Sequence, residues 1–315
     1  MSLAPFRTAP IYVPKVWAGG RLPGLGYAAP PGTGEVWLVA DLPGASSVVL
    51  DGPAAGSTLG ELARERPREL LGVDEPEQTF PLLVKVLDIG PPLSVQLHPD
   101  AAVARALGDG ERGKCEAWLV LERGADAAVF LGLAEGTSPE EVIRLAEAGG
   151  LEERLTSFRP ELGEGIEIVP GTLHTAREVA VLEVQETSDI TYRVYDWGRE
   201  RGPLHLEQAR AVLERVGAQP APPRGEGWGP GRRRVTTRSP FTFDAIELAD
   251  GERLELPAVG RPRVLTVVSG TGSVGGLRCV APCAVVLPAC VGTVSVTAHG
   301  LLRLGDGAAV PSQVA

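Results

Sequence analysis

Glycine and proline break this chain almost everywhere. Among its 315 residues are 40 Gly and 28 Pro, about one residue in five against a usual ~12%. Long helical bundles cannot be built across so many interruptions, and the excess has no three-residue period, which excludes a collagen-like chain. Many short strands joined by tight turns can be built this way. Hydrophobic residues make up 43% of the chain and mean hydropathy is +0.06, too apolar for a disordered protein. Aromatics are only 5%, so Val, Leu, Ala and Ile must fill the core.

Strand-like runs dominate the first two thirds. GEVWLVAD starts at Gly34 and FPLLVKVLDIG at Phe80; LSVQLHP, CEAWLVL, DAAVFLG, GIEIVP, VAVLEVQET and ITYRVYDW follow. Three helices are predicted among them. One runs from Thr58 to Leu71, opening on the capping-box spacing Thr58-x-x-Glu61. A second opens with Ser138 at the N-cap, Pro139 at N1 and Glu141 at N3. A third, Leu204 to Val216, is amphipathic. A shorter helical turn is expected after Asp100. Residues 219–240, with PAPPRGEGWGPGRRR, lack apolar periodicity and read as a linker. Residues 241–315 hold several short apolar runs and read as a second, small β domain, leaving 1–218 as the first. In the tail, Cys279, Cys283 and Cys290 fit no Cys-x-x-Cys spacing and read as buried small hydrophobes.

A net charge of −10 argues against nucleic acid as a partner, because a duplex binder needs surplus Lys and Arg on one face. It leaves small anions open, since they need only a local cluster. No run approaches the ~18 apolar residues of a membrane span, and the first 20 residues lack the apolar core of a signal peptide. Four Cys do not make a disulfide scaffold. A cytoplasmic protein is expected.

Three segments carry metal-ligand chemistry. In SVQLHPD an extended backbone sends Ser94, Gln96 and His98 to one face and Val95 and Leu97 to the other. In GKCEAW, Lys114, Glu116 and Trp118 alternate with Cys115 and Ala117, and CEAWLVL is too apolar for a solvated strand. In IVPGTLHT a Pro-Gly turn returns His174 towards the interior. Any one of these alone reads more simply as a hydrogen-bonded histidine or a surface ion pair. Together Gln96, His98, Glu116 and His174 offer two nitrogens and two oxygens. That set suits Zn2+ or another borderline divalent ion, with a position left for water or substrate.

Two further segments carry charge. Lys85 shares its face with Leu83 and Leu87; it either snorkels at a strand edge or points into a cavity with a partner. In LEVQETSDITYRVYDWGR, Glu183 and Gln185 share a face, Asp189 lies in the turn, and Arg193 shares a face with Tyr195 on the next strand. Arginine suits forked binding of phosphate. Lysine is scarce: of 30 basic residues only Lys15, Lys85 and Lys114 are lysines.

In order along the chain, FPLLVKVLD, LSVQLHPD, GKCEAWLVL, VPGTLH and LEVQETSDITYRVYDWGR closely resemble the type I mannose-6-phosphate isomerases, which are metal-dependent cupins. The match runs over roughly residues 5–218, and the β-rich tail resembles that family's second cupin domain. The resemblance implies a mainly β fold of two cupin (jelly-roll β-barrel) domains with a small helical insertion. It implies interconversion of mannose 6-phosphate and fructose 6-phosphate through an enediol(ate), with one Zn2+ per chain at Gln96, His98, Glu116 and His174. It further implies that Lys85, Lys114, Glu183, Asp189 and Arg193 line the sugar-phosphate pocket as the catalytic candidates. Ser94, Lys85, Lys114 and Arg193 are the candidate substrate-binding residues, and either Glu183 or Asp189 the base. Two other readings stay open: a non-catalytic metal-binding cupin that senses a sugar phosphate, and a cupin isomerase for another aldose phosphate. One departure concerns the return turn. Cupins usually read Pro-x-Gly-x-x-His, whereas Pro170 and Gly171 are adjacent here; Gly171 keeps its spacing to His174.

Overall fold

A computed structural model of the chain describes residues 2–74, 79–110, 112–199, 202–217, 219–220 and 225–310. Residue 218 at the expected domain end, residues 221–224 of the expected linker and residues 311–315 of the expected second domain lie outside them. As predicted, the fold is mainly β. The largest sheet has nine strands. Six lie side by side in the order Gly165–Ile168, Glu116–Leu133, His174–Glu186, Leu82–Ile89, Thr33–Val39 and Ile11–Pro14, each antiparallel to its neighbours. The short strand Val95–Leu97 joins at His174 and carries Tyr192–Tyr195 beside it. CEAWLVL and DAAVFLG, expected as separate strands, form the single 18-residue strand Glu116–Leu133, whose register against its neighbour shifts between Arg177 and Val179 and again between Ala180 and Val181. The shift lets one strand turn the corner without a loop.

Alternation sorts the two faces of this sheet. Leu38, Leu82, Val84, Ala117, Leu119, Leu182 and Val184 enter an apolar core shared with Phe241, Phe243, Val264 and Val286. The residues between them, Glu35, Trp37, Lys85, Glu116, Trp118 and Glu183, line a cavity on the other face. The shared core joins the large sheet to a six-stranded one, ordered Phe6–Arg7, Cys283–Leu287, Arg263–Ser269, Leu302–Ala309, Phe241–Leu248 and Gly231–Arg234. Glycine permits their approach: a Cβ on Gly305 would meet Leu182 Cδ2 at 2.6 Å. A four-stranded sheet, Arg253–Leu256, Val294–Ala298, Thr271–Val274 and Leu277–Val280, covers the far side over Ile246, Leu265, Val267, Val285 and Leu304.

The strand Gly231–Arg234 lies within the segment expected to be a linker. Charge rather than apolar periodicity recruits it: Arg232 and Arg234 both pair with the buried Asp244, and Arg232 also reaches Asp306. Phe6–Arg7, from the other end of the chain, closes the opposite edge of the same sheet.

Helices form where the capping signals lie. Thr58 and Glu61 make the reciprocal capping box, but the helix spans only Leu59–Glu65; a separate turn, Pro67–Leu70, follows, because Pro67 brings no N–H and starts a new helix at N1. Ser138 caps Pro139–Ala148 and Asp100 caps Ala101–Leu107. Leu206–Val216 packs with Pro139–Ala148 on Val95, Leu97, Tyr192 and Val194, and so buttresses the strand that leads to His98. Of the tail cysteines, Cys279 is buried and Cys283 half-buried, but Cys290 is exposed. It lies past the end of its strand, where alternation no longer turns it inward. No helix among the described residues is long and apolar enough to cross a membrane.

Candidate active site

The two imidazoles and one carboxylate expected as ligands meet. Ligand atoms of His98, Glu116 and His174 all lie within 4.8 Å of one another. His174 sits opposite Gln96 in the ladder. The turn before His174 is tied to the other histidine, because the N–H of Gly171 donates to the His98 carbonyl at 3.1 Å. His98 Nδ1 lies 3.0 Å from the Ile190 carbonyl and His174 Nδ1 3.0 Å from the Thr172 carbonyl. Each Nδ1 meets a carbonyl acceptor, and each Nε2 points towards Glu116, at 3.4 and 3.2 Å. All three side chains are buried, and His98 Nε2 has no hydrogen-bond partner. Burial, then the charge of Lys114, pushes the His98 pKa down to about 3, so this imidazole is neutral. Burial opposes the Glu116 charge, yet Lys114 at 2.8 Å and the two histidines hold its carboxyl well below the usual range. Two imidazoles fixed through backbone carbonyls, facing an ionised carboxylate, suit a divalent transition-metal ion. The orphaned Nε2 fits such an ion.

Glu116 also opens onto a cavity of about 610 Å3. Register lays the row Trp118, Glu183, Lys85, Trp37 across its wall. Lys85 Nζ is 3.2 Å from Glu183 Oε1, and Trp118 Nε1 donates to Glu183 Oε2 at 3.0 Å. Lys85 does not snorkel at an edge: its strand is paired on both sides. Burial works against its charge, but Glu183, Glu35 and Glu116 hold its pKa above the ordinary lysine value. Burial and then Glu116 push the Glu183 carboxyl up, with Lys85 and Lys114 pulling against them. At Glu35 the balance reverses. Burial raises it, but Lys85 and Lys15 win and hold it low, with Lys15 Nζ at 3.1 Å and Trp37 Nε1 donating at 2.6 Å.

Eight of the ten expected site residues line this cavity: Ser94, Gln96, Lys85, Lys114, Glu116, Glu183, Asp189 and Arg193. His98 and His174 are buried next to Glu116. Asp189 is exposed at the rim. Arg193 is half-buried, and its backbone is pinned by His205, whose Nδ1 accepts the Arg193 N–H at 3.0 Å. Arg193 and Tyr195 do not share a face as expected. A register shift separates them, and Tyr195 turns into the apolar cluster behind the sheet. The cavity also holds residues the sequence reading missed: Lys15 and Trp17, Glu35 and Trp37, Asp196 and Arg199. GEVWLVAD carried a usable signal, since Glu35 and Trp37 alternate with Val36 and Leu38. So did lysine scarcity, for all three lysines of the chain line this one cavity. Arg199 holds the loop ahead of Ser94, donating to the Pro92 carbonyl at 2.9 Å, while Trp197 Nε1 donates to Leu93 O at 2.6 Å.

Residues 21–114 match the family described as phosphomannose isomerase type I, catalytic domain. A relative from Bacillus subtilis (strain 168), named probable mannose-6-phosphate isomerase GmuF, is 37% identical over 217 residues, 66% of this chain and 68% of the relative. The chain belongs to the type I phosphomannose isomerase family. Mannose-6-phosphate isomerase ManA of the same organism is 35% identical over 221 residues, covering 68% of this chain and 69% of ManA. The crystal structure of the mannose 6-phosphate isomerase from Bacillus subtilis superposes with a TM-score of 0.78 at 27% identity, over 97% of this chain and 99% of that one. A point mutant of phosphomannose isomerase from Salmonella typhimurium shares the fold at 15% identity, with a TM-score of 0.81 over 98% and 100% of the two chains. The family fold thus extends over nearly the whole chain.

Proposed function

We propose that this protein is a metal-dependent aldose-ketose isomerase that interconverts mannose 6-phosphate and fructose 6-phosphate. One observation carries the reading: the buried His98–Glu116–His174 triad opens, through Glu116, onto a cavity that gathers every lysine of an acidic chain. A divalent ion held by His98, Glu116 and His174, with Gln96 as fourth donor, would supply Lewis-acid polarisation of the sugar's O1 and O2, and the nitrogen–carboxylate set favours Zn2+.

The remaining chemistry belongs to the protein. Isomerisation moves a proton between C1 and C2 through an enediolate. Glu183 is the base: it stands in the cavity wall, and burial raises its pKa above the ordinary carboxylate value, which makes it the stronger proton acceptor. Lys85, 3.2 Å away, orients that carboxylate. Lys114, held on Glu116, and Arg193, opposite Gln96 in the ladder, meet the charge that develops on oxygen. Ser94, Lys85 and Arg193 supply donors for the sugar hydroxyls and the phosphate, which fix the substrate in register. In this reading residues 1–218 form a catalytic jelly-roll cupin domain, 219–240 the connection, and 241–315 a second cupin-like domain without metal ligands. A cytoplasmic site of action goes with a phosphorylated, membrane-impermeant substrate and four free thiols.

The test is a coupled assay for fructose 6-phosphate formed from mannose 6-phosphate, run beside metal analysis of the purified protein. Activity lost to a chelator and restored by Zn2+, with one ion per chain, is the expected result. Full metal occupancy without turnover makes the protein a sugar-phosphate sensor instead. Turnover confined to another aldose phosphate reassigns the substrate.

A further inference from the structure

A second cavity, of about 630 Å3, lies on the opposite side of the strand pair that borders the first. The strands Ile11–Pro14 and Thr33–Val39 send Val13, Glu35 and Trp37 into the active cavity, and Tyr12 and Leu38 into this one. The tail closes it with Arg278, Val280 and Pro282.

Three features point to a ligand. The first is Tyr27, which lines the cavity at 6% exposure and whose hydroxyl has no hydrogen-bond partner among the described residues. Burial and the neighbouring Tyr12 phenol and Cys283 thiol hold its pKa up, so the hydroxyl is a donor at neutral pH. The hydroxyl is not among the fully buried unpartnered atoms, so it opens to the cavity and is free to donate to a ligand. The second is charge. In a chain of net −10 the charged residues lining this cavity, among the described residues, are Arg7 and Arg278, without a carboxylate. Arg7 is engaged by Asp51 through two bonds of 2.9 and 2.7 Å, whereas Arg278 is exposed and forms no ion pair among the described residues. The third is apolar surface. Leu50 and Val280, 51% and 54% exposed, both line the cavity, and exposed apolar groups gathered at a concavity mark binding sites.

We propose that this cavity binds a small organic anion with an apolar body, its charged end on Arg278, its body against Leu50 and Val280, and an acceptor group on Tyr27. Among the described residues its lining holds no carboxylate or histidine to act as a base, so the ligand is bound rather than transformed.

The probe is 8-anilinonaphthalene-1-sulfonate, titrated into the native protein and followed by fluorescence and calorimetry. One saturable site per chain is expected. Tyr27→Phe removes one hydroxyl and keeps the packing, and Arg278→Ala alters an exposed side chain; each is expected to weaken Kd by about fivefold or more. Saturating mannose 6-phosphate should leave the probe bound. Absence of saturable binding, an unchanged Kd in both variants, or displacement by the sugar phosphate overturns the proposal. None of these readouts depends on turnover.

Discussion

Glu183 and Asp189 lie six residues apart and in opposite surroundings. Glu183 is buried between Trp118 and Lys85 with its pKa raised by burial and by Glu116, while Asp189 is exposed at the cavity rim. Glu183→Gln should lower kcat by about 10²–10⁴ and abolish deuterium exchange at C2 in a single turnover. Asp189→Asn should keep both and change mainly KM. Normal exchange in Glu183→Gln would remove the proposed base. A raised carboxyl takes up its proton as pH falls through a value above the ordinary carboxylate range, and a protonated Glu183 cannot act as a base. The acid limb of kcat against pH should therefore sit above that range in the wild type. Most of this residue-level picture was legible, because period-2 alternation alone places Gln96 with His98 and Lys114 with Glu116; for Lys85 it left a strand edge and a cavity open, and the pairing of its strand on both sides decides for the cavity. Tyr195 was not legible: a shift of one residue in register turns a side chain to the other face, and no local signal announces it.

At the level of elements, the turn Pro170–Gly171 holds the two imidazoles together. Gly171 has φ +83°, and a Cβ there would meet Val216 Cγ2 at 2.6 Å and the Gly217 carbonyl oxygen at 2.8 Å. The left-handed backbone alone disfavours alanine by roughly 1–2 kcal/mol, and a backbone carbonyl cannot swing aside. Gly171→Ala should lower the Tm and let metal escape on dialysis; a variant that keeps its metal and its Tm would show the turn to be uninvolved in holding His174. By contrast Thr58→Ala, which breaks the capping box far from the cavity, should lower stability by ~1 kcal/mol and leave kcat/KM unchanged. Caps are short-range signals, which is why the helix starts could be read directly. The strand Gly231–Arg234 could not be, since its partners Asp244 and Asp306 lie 10 to 74 residues away and nothing near Arg232 identifies them.

Across the whole molecule, the placement of lysine has a chemical consequence. Lys15, Lys85 and Lys114 share one cavity, at side-chain exposures of 32%, 11% and 6%. An amine-acylating reagent should therefore modify Lys15 first among the side chains. Activity should fall in step with Lys15 acylation, as read by peptide mass mapping, and mannose 6-phosphate should slow both. Full activity with Lys15 completely acylated would place that lysine outside the working part of the cavity. The acidic balance was readable from composition and correctly left room for such a local cluster. Which sheet packs on which was not, because a two-residue strand at Phe6–Arg7 is too short to carry a pattern. That strand pairs Phe6 with Val286 and Arg7 with Val285, so Phe6 and Arg7 depend on partners about 280 residues further along the chain. During translation at about 5–20 residues per second, they stay without a partner for on the order of tens of seconds. This edge of the six-stranded sheet forms only after the strand Cys283–Leu287 has been made. A product ending before Cys283 leaves a bare strand edge open to other chains, so this long-range pairing is what removes that edge.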